Sequence, residues 1–142
     1  MGKKRVIKKA GEEGEGQARS SGKSGRRRIE LGVLHVNATY NNTYVVLADT
    51  EGKTVASSSS GALGFRGSKK GTPFAASKVG ELLADKALAM GMGEVEVIIK
   101  GVGAGRESAM RAFVAKGINV AGIKDRTPVP FNGPKPPRAR RI

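Results

Sequence analysis

Apolar and polar positions alternate through three early stretches of the chain, and the period then changes. Leu31 to Thr39 and Thr43 to Asp49 carry Val33, Val36, Val45, Val46 and Leu47, the β-branched and apolar weight of strands. Asn41-Asn42 between them predicts a tight hairpin turn, because Asn tolerates left-handed backbone. Lys53 to Ser59 follows the turn signal Glu51-Gly52 and reads as a third strand. Three successive strands with short links imply an antiparallel meander. Ala75, Val79, Leu82, Leu83, Leu88 and Met90 then recur near helical spacing. They predict a helix from about Pro73 to Met90, with Thr72 as N-cap, Pro73 at the first helical position and Gly91 and Gly93 ending it. Glu94 to Lys100 alternates through Val95, Val97 and Ile99 as a strand. Arg106 to Lys116 is a short helix with Ala109, Met110, Phe113 and Val114 facing in. Gly117 stops it, and Ile118 to Asp125 is the last strand.

The order β-β-β-α-β-α-β gives the fold class as α/β. The last two units are crossovers, which make parallel neighbours through right-handed connections. The expectation is one mixed five-stranded sheet with two helices packed on it. Hydrophobic residues make up 38% of the 142 residues, enough for one modest core, so one domain with appended segments is expected. With no Trp and few aromatics, that core is built from Ala, Val, Ile, Leu and Met.

Charge divides the chain into three parts. Residues 1–28 carry ten Lys/Arg against three Glu, and residues 126–142 carry five Lys/Arg and no acid. Residues 29–125 hold eleven Lys/Arg against nine Asp/Glu, so the two ends hold twelve of the fourteen net positive charges. Residues 1–28 are rich in Gly, Lys, Arg and Ser with few apolar side chains, and are expected to be disordered when free. Residues 126–142 contain five of the six prolines and are expected to run as an extended tail. A near-neutral domain with two cationic arms suits a polyanion, whose phosphates the arms neutralise with release of counterions. The plainer alternative is a pair of solvated tails, but they hold too little acid to screen themselves.

Other classes fit less well. Cysteine is absent, which excludes a disulfide framework and Cys-based metal sites. The basic N-terminus has no apolar segment after it, so it does not read as a signal peptide, and no apolar run approaches membrane-spanning length. Nor do residues 1–28 show an apolar stripe that would insert into a membrane surface.

Four sets of residues are candidates for contact with RNA. Gly101-Val-Gly-Ala-Gly105-Arg106 joins a strand to a helix, so its backbone N–H groups and Arg106 suit a phosphate, with Lys100 just before them. The alternatives are a tight turn or a dinucleotide site, but the third Gly of the dinucleotide fingerprint would fall where Arg106 stands. Gly64-Phe-Arg-Gly-Ser-Lys-Lys-Gly-Thr-Pro73 offers Arg66, Lys69 and Lys70 among small residues. Phe65 either stacks on an unpaired base or folds back as a plug. Asn37, Asn41, Asn42 and Thr43 around the hairpin can touch sugar and phosphate, or serve only the turn. The tail adds Arg126, Asn132, Lys135, Arg138, Arg140 and Arg141. Asn132-Gly133 either makes a turn before Pro134 or is open to attack by the Gly nitrogen, which would yield isoaspartate.

Catalytic groups are missing. The single histidine, His35, lies inside a strand between Leu34 and Val36 and reads as structural. The strand order resembles ribonuclease H folds, whose metals need clustered carboxylates, yet Leu31 to Thr39 contains no acid. No nucleophile–base pair is evident. The reading is of a protein that is not an enzyme, with no cofactor and no metal.

Four stretches in order carry a family resemblance. Gly32-Val-Leu-His-Val-Asn-Ala-Thr-Tyr-Asn-Asn-Thr43, Gly64-Phe-Arg-Gly-Ser-Lys-Lys-Gly-Thr-Pro-Phe-Ala-Ala76, Lys100-Gly-Val-Gly-Ala-Gly-Arg106 and Asp125-Arg-Thr-Pro-Val-Pro130 resemble the universal small-subunit ribosomal protein eleven family. The tail departs from the family pattern, with Phe131 in place of His, Pro134 in place of Cys and Lys135 in place of Arg. Ser57 lies near where an aromatic is usual. The resemblance implies a ribonuclease-H-like sheet without catalysis, in a cytoplasmic, ribosome-bound protein. It also implies binding to ribosomal RNA in the platform of the small subunit, near the messenger RNA exit channel and the Shine–Dalgarno helix, with the seventh and eighteenth small-subunit proteins as neighbours. A general nucleic-acid-binding or assembly module, or a degenerate nuclease, is the alternative.

Overall fold

A computed structural model describes residues 28–139, so all but the last residue of the 1–28 segment expected to be disordered, and residues 140–142 with Arg140 and Arg141, lie outside the described residues. The elements follow the expected order. They are β1 (Leu31–Ala38), β2 (Thr43–Asp49), β3 (Thr54–Ser59), α1 (Pro73–Met90), β4 (Glu94–Lys100), α2 (Gly105–Val114) and β5 (Asn119–Asp125), with a short 3-10 turn at Gly67–Gly71. The five strands form one sheet in the order β3-β2-β1-β4-β5. β1 pairs antiparallel with β2 and parallel with β4. β2 and β3 are antiparallel, and β4 and β5 parallel.

Alternation selects the buried face. Leu34, Val36 and Ala38 on β1, Val45 and Leu47 on β2, and Val95, Val97 and Ile99 on β4 all point under the helices. Phe113 from α2, with Val79 and Leu83 from α1, fills the space above them. Each of the larger side chains, Val, Leu, Ile or Phe, contributes roughly 1.5–3 kcal/mol when taken out of water. Both helices lie on this one face and pack against each other, α1 over β2 and β3 and α2 over β1, β2 and β4. Among the described residues no helix covers the other face.

Local chemistry accounts for the ends of α1. The Thr72 side chain accepts from the N–H of Ala75 (3.4 Å), and Pro73 occupies the first turn, where its missing N–H costs nothing. Gly91 takes a left-handed φ of 83°, and its N–H and that of Met92 satisfy the carbonyls of Leu88 and Ala87.

Three sequence readings need correction. The buried face of α1 is made chiefly of small residues, Ala75, Ala76, Gly80, Ala84 and Ala87, with Val79 and Leu83, while Leu88 is exposed. The reason is the close crossing with α2: a Cβ on Gly80 would lie 2.3 Å from the carbonyl oxygen of Ala109. Val114, expected to face in, is exposed at the last turn of α2. The β1–β2 turn does not use left-handed Asn; among the described non-glycine residues only Asn132 has positive φ. Thr39 closes a four-residue loop instead, its N–H and hydroxyl donating to the Asn42 carbonyl (2.9 and 3.0 Å) and its hydroxyl oxygen accepting from the Asn42 N–H (3.1 Å).

Candidate nucleic-acid interface

Topology brings the four candidate segments to one end of the sheet. β1, β4 and β5 run parallel, so Ala38, Lys100 and Asp125 end at the same edge. β2 is antiparallel to β1 and begins there at Thr43, and β3 finishes there at Ser59. Both helices therefore start at this end, and their N-termini add unsatisfied N–H groups and the positive end of each dipole.

Close backbone contact joins these segments. A Cβ on Gly71 would lie 2.2 Å from the Tyr40 carbonyl oxygen, so the basic loop sits directly on the hairpin. Cβ atoms on Gly101 and Gly103 would lie 2.1 and 2.2 Å from the carbonyl oxygens of Ala38 and Thr39. The N–H of Gly103 donates to Ala38 (2.9 Å), and that of Gly101 to the Thr127 hydroxyl (3.2 Å). The glycines of this loop thus serve close packing against the end of β1, and two of its N–H groups are already used within the protein.

Arg106 also has internal partners. Its guanidinium donates to the Gly101 carbonyl (2.6 Å) and forms an ion pair with Asp125. The sequence offers Arg106 as a cation for phosphate, but its acidic partner is nineteen residues away and meets it because β5 lies beside the start of α2. Asp125 further accepts from the N–H (2.9 Å) and hydroxyl (2.6 Å) of Thr127. These donors, with Arg106 behind them, hold the Asp125 carboxyl at about 2. The Arg126 N–H donates to Ile99 (2.9 Å). The tail therefore leaves the domain from a tied knot rather than from a loose strand end.

Thr43 is corrected as well. It is fully buried, its hydroxyl pressed toward Gly105, where a Cβ would lie 2.3 Å away, so it offers nothing to a ligand. The Asn42 side-chain oxygen is also buried, and neither group has a hydrogen-bond partner among the described residues. Asn37 and Asn41 are exposed. Phe65 is half-buried, with its ring edge-on to Phe74 (centroids 6.1 Å apart, planes at 84°), which is the anchoring alternative. Phe74 is the open ring of the pair, with Lys78 Nζ 5.7 Å from its centre. Asn132 takes a φ of 53°, the turn geometry.

The cations divide by location. Lys53, Lys78, Arg111, Lys116 and Lys124 pair with Glu51, Glu81, Glu107, Asp85 and Glu96. At the candidate end Arg66, Lys69, Lys70, Lys100 and Arg126 have no acidic partner among the described residues, nor do Lys135 and Arg138 on the tail. All but Lys70 are exposed. The groove between the helices, about 690 Å³, sets Glu81 and Glu107 against Arg106 and Arg111 and so lacks that excess charge. Among the described residues no three His, Cys, Asp or Glu converge as a metal would need, and no helix is long and apolar enough to cross a membrane.

The sequence reading missed Tyr44, Phe74 and the Asp125–Thr127 tie. The last has a local signature, an Asp two residues before the N–H it accepts, which is an Asx turn. Tyr44 is legible from the alternation of β2, which leaves it on the face opposite Val45.

Comparison with known proteins identifies the family. The profile of the family described as Ribosomal protein S11 matches residues 32–141. The chain is 50% identical over 127 residues to the small ribosomal subunit protein uS11 of Solibacter usitatus (strain Ellin6076), covering 89% of this chain and 94% of that protein. With both the profile and a relative of this similarity spanning the domain and its tail, the chain belongs to the ribosomal protein S11 family.

Proposed function

We propose that this protein is a structural constituent of the small ribosomal subunit, and that it binds ribosomal RNA through the cationic end of its sheet and its tail. The observation that carries the reading is the segregation of charge. Among the described residues, five cations elsewhere on the domain pair with carboxylates and only Lys86 and Arg28 do not, whereas at this end Arg66, Lys69, Lys70, Lys100 and Arg126 have no carboxylate partner and stand beside two helix N-termini. Phosphates supply the missing counter-charge. In this reading the RNA is that of the platform, near the messenger RNA exit channel and the Shine–Dalgarno helix, with the seventh and eighteenth small-subunit proteins beside it, and membership of the S11 family supports it. The role is assembly and support of translation, without catalysis or cofactor, in the cytoplasm.

Affinity for isolated platform RNA, measured against salt, tests the interface. Log affinity is expected to fall with log salt by about 0.7–0.9 per neutralised phosphate, and deletion of residues 126–142 flattens the slope. An unchanged slope after deletion makes the tail a solvated extension. Co-sedimentation with small subunits after a high-salt wash tests the location. RNA binding without co-sedimentation favours an assembly module acting outside the mature subunit.

A further inference from the structure

Among the described residues one face of the sheet has no helix over it, and its upper row has a defined composition. In register across the strands, Ser59, Tyr44, Asn37 and Lys100 lie side by side on β3, β2, β1 and β4. Arg126 continues the row, held to the neighbouring backbone by its N–H bond to Ile99. Tyr44 is 45% exposed, in an interior strand, with no hydrogen bond or aromatic partner among the described residues. Ser59 and Ser57 on the adjacent edge strand are too short to cover its ring. His35 lies half-buried in the next row, opposite Val46 and Ile98.

We infer that this face is a further nucleic-acid surface, on which Tyr44 stacks against an unpaired base while Lys100 and Arg126 hold the flanking phosphates. The inference rests on the RNA-binding reading above and extends that interface, from Lys100 and Arg126 which it already uses, onto the open face around Tyr44. An exposed ring on an open sheet presents a π-face at low entropic cost, and base stacking is tolerant of sequence. Adjacent strands are about 4.8 Å apart, so Tyr44 and Lys100, two strands apart, are separated by about 10 Å. One nucleotide can therefore place its base on the ring and its phosphate at the cation. Charge is complementary: the next row, Ser57, Val46, His35, Ile98 and Lys124, holds no carboxylate, and Glu96 in the row beyond it is taken up by Lys124. Both cations lie near His35: burial, then Lys100 and Arg126, depress its proton affinity.

The chain has no Trp and two tyrosines, Tyr40 and Tyr44. In a full-length Tyr40→Phe background all tyrosine emission comes from Tyr44. Titration with single-stranded oligoadenylate is expected to quench it. In that background Tyr44→Leu weakens binding by roughly fivefold or more without altering the salt slope, because stacking releases no counterions. Tyr44→Phe keeps the affinity, which separates stacking from any role of the hydroxyl. Lys100→Gln lowers the slope by about 0.7. Unquenched emission during intact binding, or equal affinity of the Tyr44→Leu chain, overturns this surface and leaves the general RNA-binding reading standing. Failure of the parent chain to bind platform RNA or oligoadenylate overturns both.

Discussion

Gly103→Ala is the sharpest single test of how the candidate end is built. The added methyl would sit 2.2 Å from the Thr39 carbonyl oxygen, 2.8 Å from its carbon and 2.9 Å from the Ala38 carbon. All three are backbone atoms, so no side chain can swing away. The loop must lift by about an ångström, an overpacking cost of roughly 1–3 kcal/mol. Lifting also stretches the Gly103 bond to Ala38, which at 2.9 Å contributes a further 0.5–1.5 kcal/mol, roughly. Against this, Ala restricts the unfolded chain and returns about 0.4–1 kcal/mol. The net expectation is a loss of about 2 kcal/mol, which for a domain near one hundred residues lowers Tm by about 8–16 °C. Thermal unfolding followed by far-UV circular dichroism measures it. Gly93→Ala is the control, because its Cβ would meet nothing within 4 Å. If Gly103→Ala melts within two or so degrees of Gly93→Ala, the close packing of the glycine loop on β1 is not what sets this site.

Further outcomes follow from the knot at the tail and from the lone histidine. Arg106→Ala is expected to lower Tm by a few degrees and to weaken RNA binding, because it releases Gly101 and Asp125 together. In a chain ending at residue 127 its effect on affinity shrinks, whereas a direct phosphate ligand would keep its full effect. Asp125 titrates lower in the folded chain than the ordinary 3.8, so its stabilisation is complete above that value and is lost as pH falls toward about 2. Asp125→Asn therefore lowers Tm at pH 7 and has little effect near pH 2, as parallel melts would show. His35 also binds its proton more weakly when folded, so the unfolded chain protonates first and stability declines as pH falls below 6.5. His35→Gln flattens that part of the stability profile, and an unchanged profile would mean the proton is taken up elsewhere.

Strand alternation and capping chemistry were legible because both are local. Val45 and Leu47 on one side of β2, Thr72-Pro73 before α1 and Gly91 after it each state their role within a few residues. What escaped depends on distant chain. Gly80 and Ala84 carry little hydropathy, yet they form the face of α1 because α2 comes close enough to need small residues. Leu88 looked internal by spacing and is exposed because that contact turns the helix toward its alanine side. At the site, Arg66, Lys69 and Lys100 stand where cations in glycine-rich segments suggested. Thr43 and Arg106 changed meaning once Gly105 and Asp125 arrived from elsewhere in the chain.

The strand order has a consequence for how the chain is made. β1 is the middle strand of the sheet but the first to be synthesised among those described. Its hairpin partner β2 follows at once, and such a hairpin closes in about 1–10 μs. Its parallel partner does not: Leu31 lies opposite Glu94, sixty-three residues later. At roughly 5–20 residues per second the growing chain waits about 3–13 s before β4 exists. Throughout that interval the meander shows an unpaired edge at β1, backed by Leu34 and Val36 without their helices, the kind of edge that recruits stray strands. The emerging protein therefore needs its own second half, or a chaperone in its place, to close the centre of its sheet.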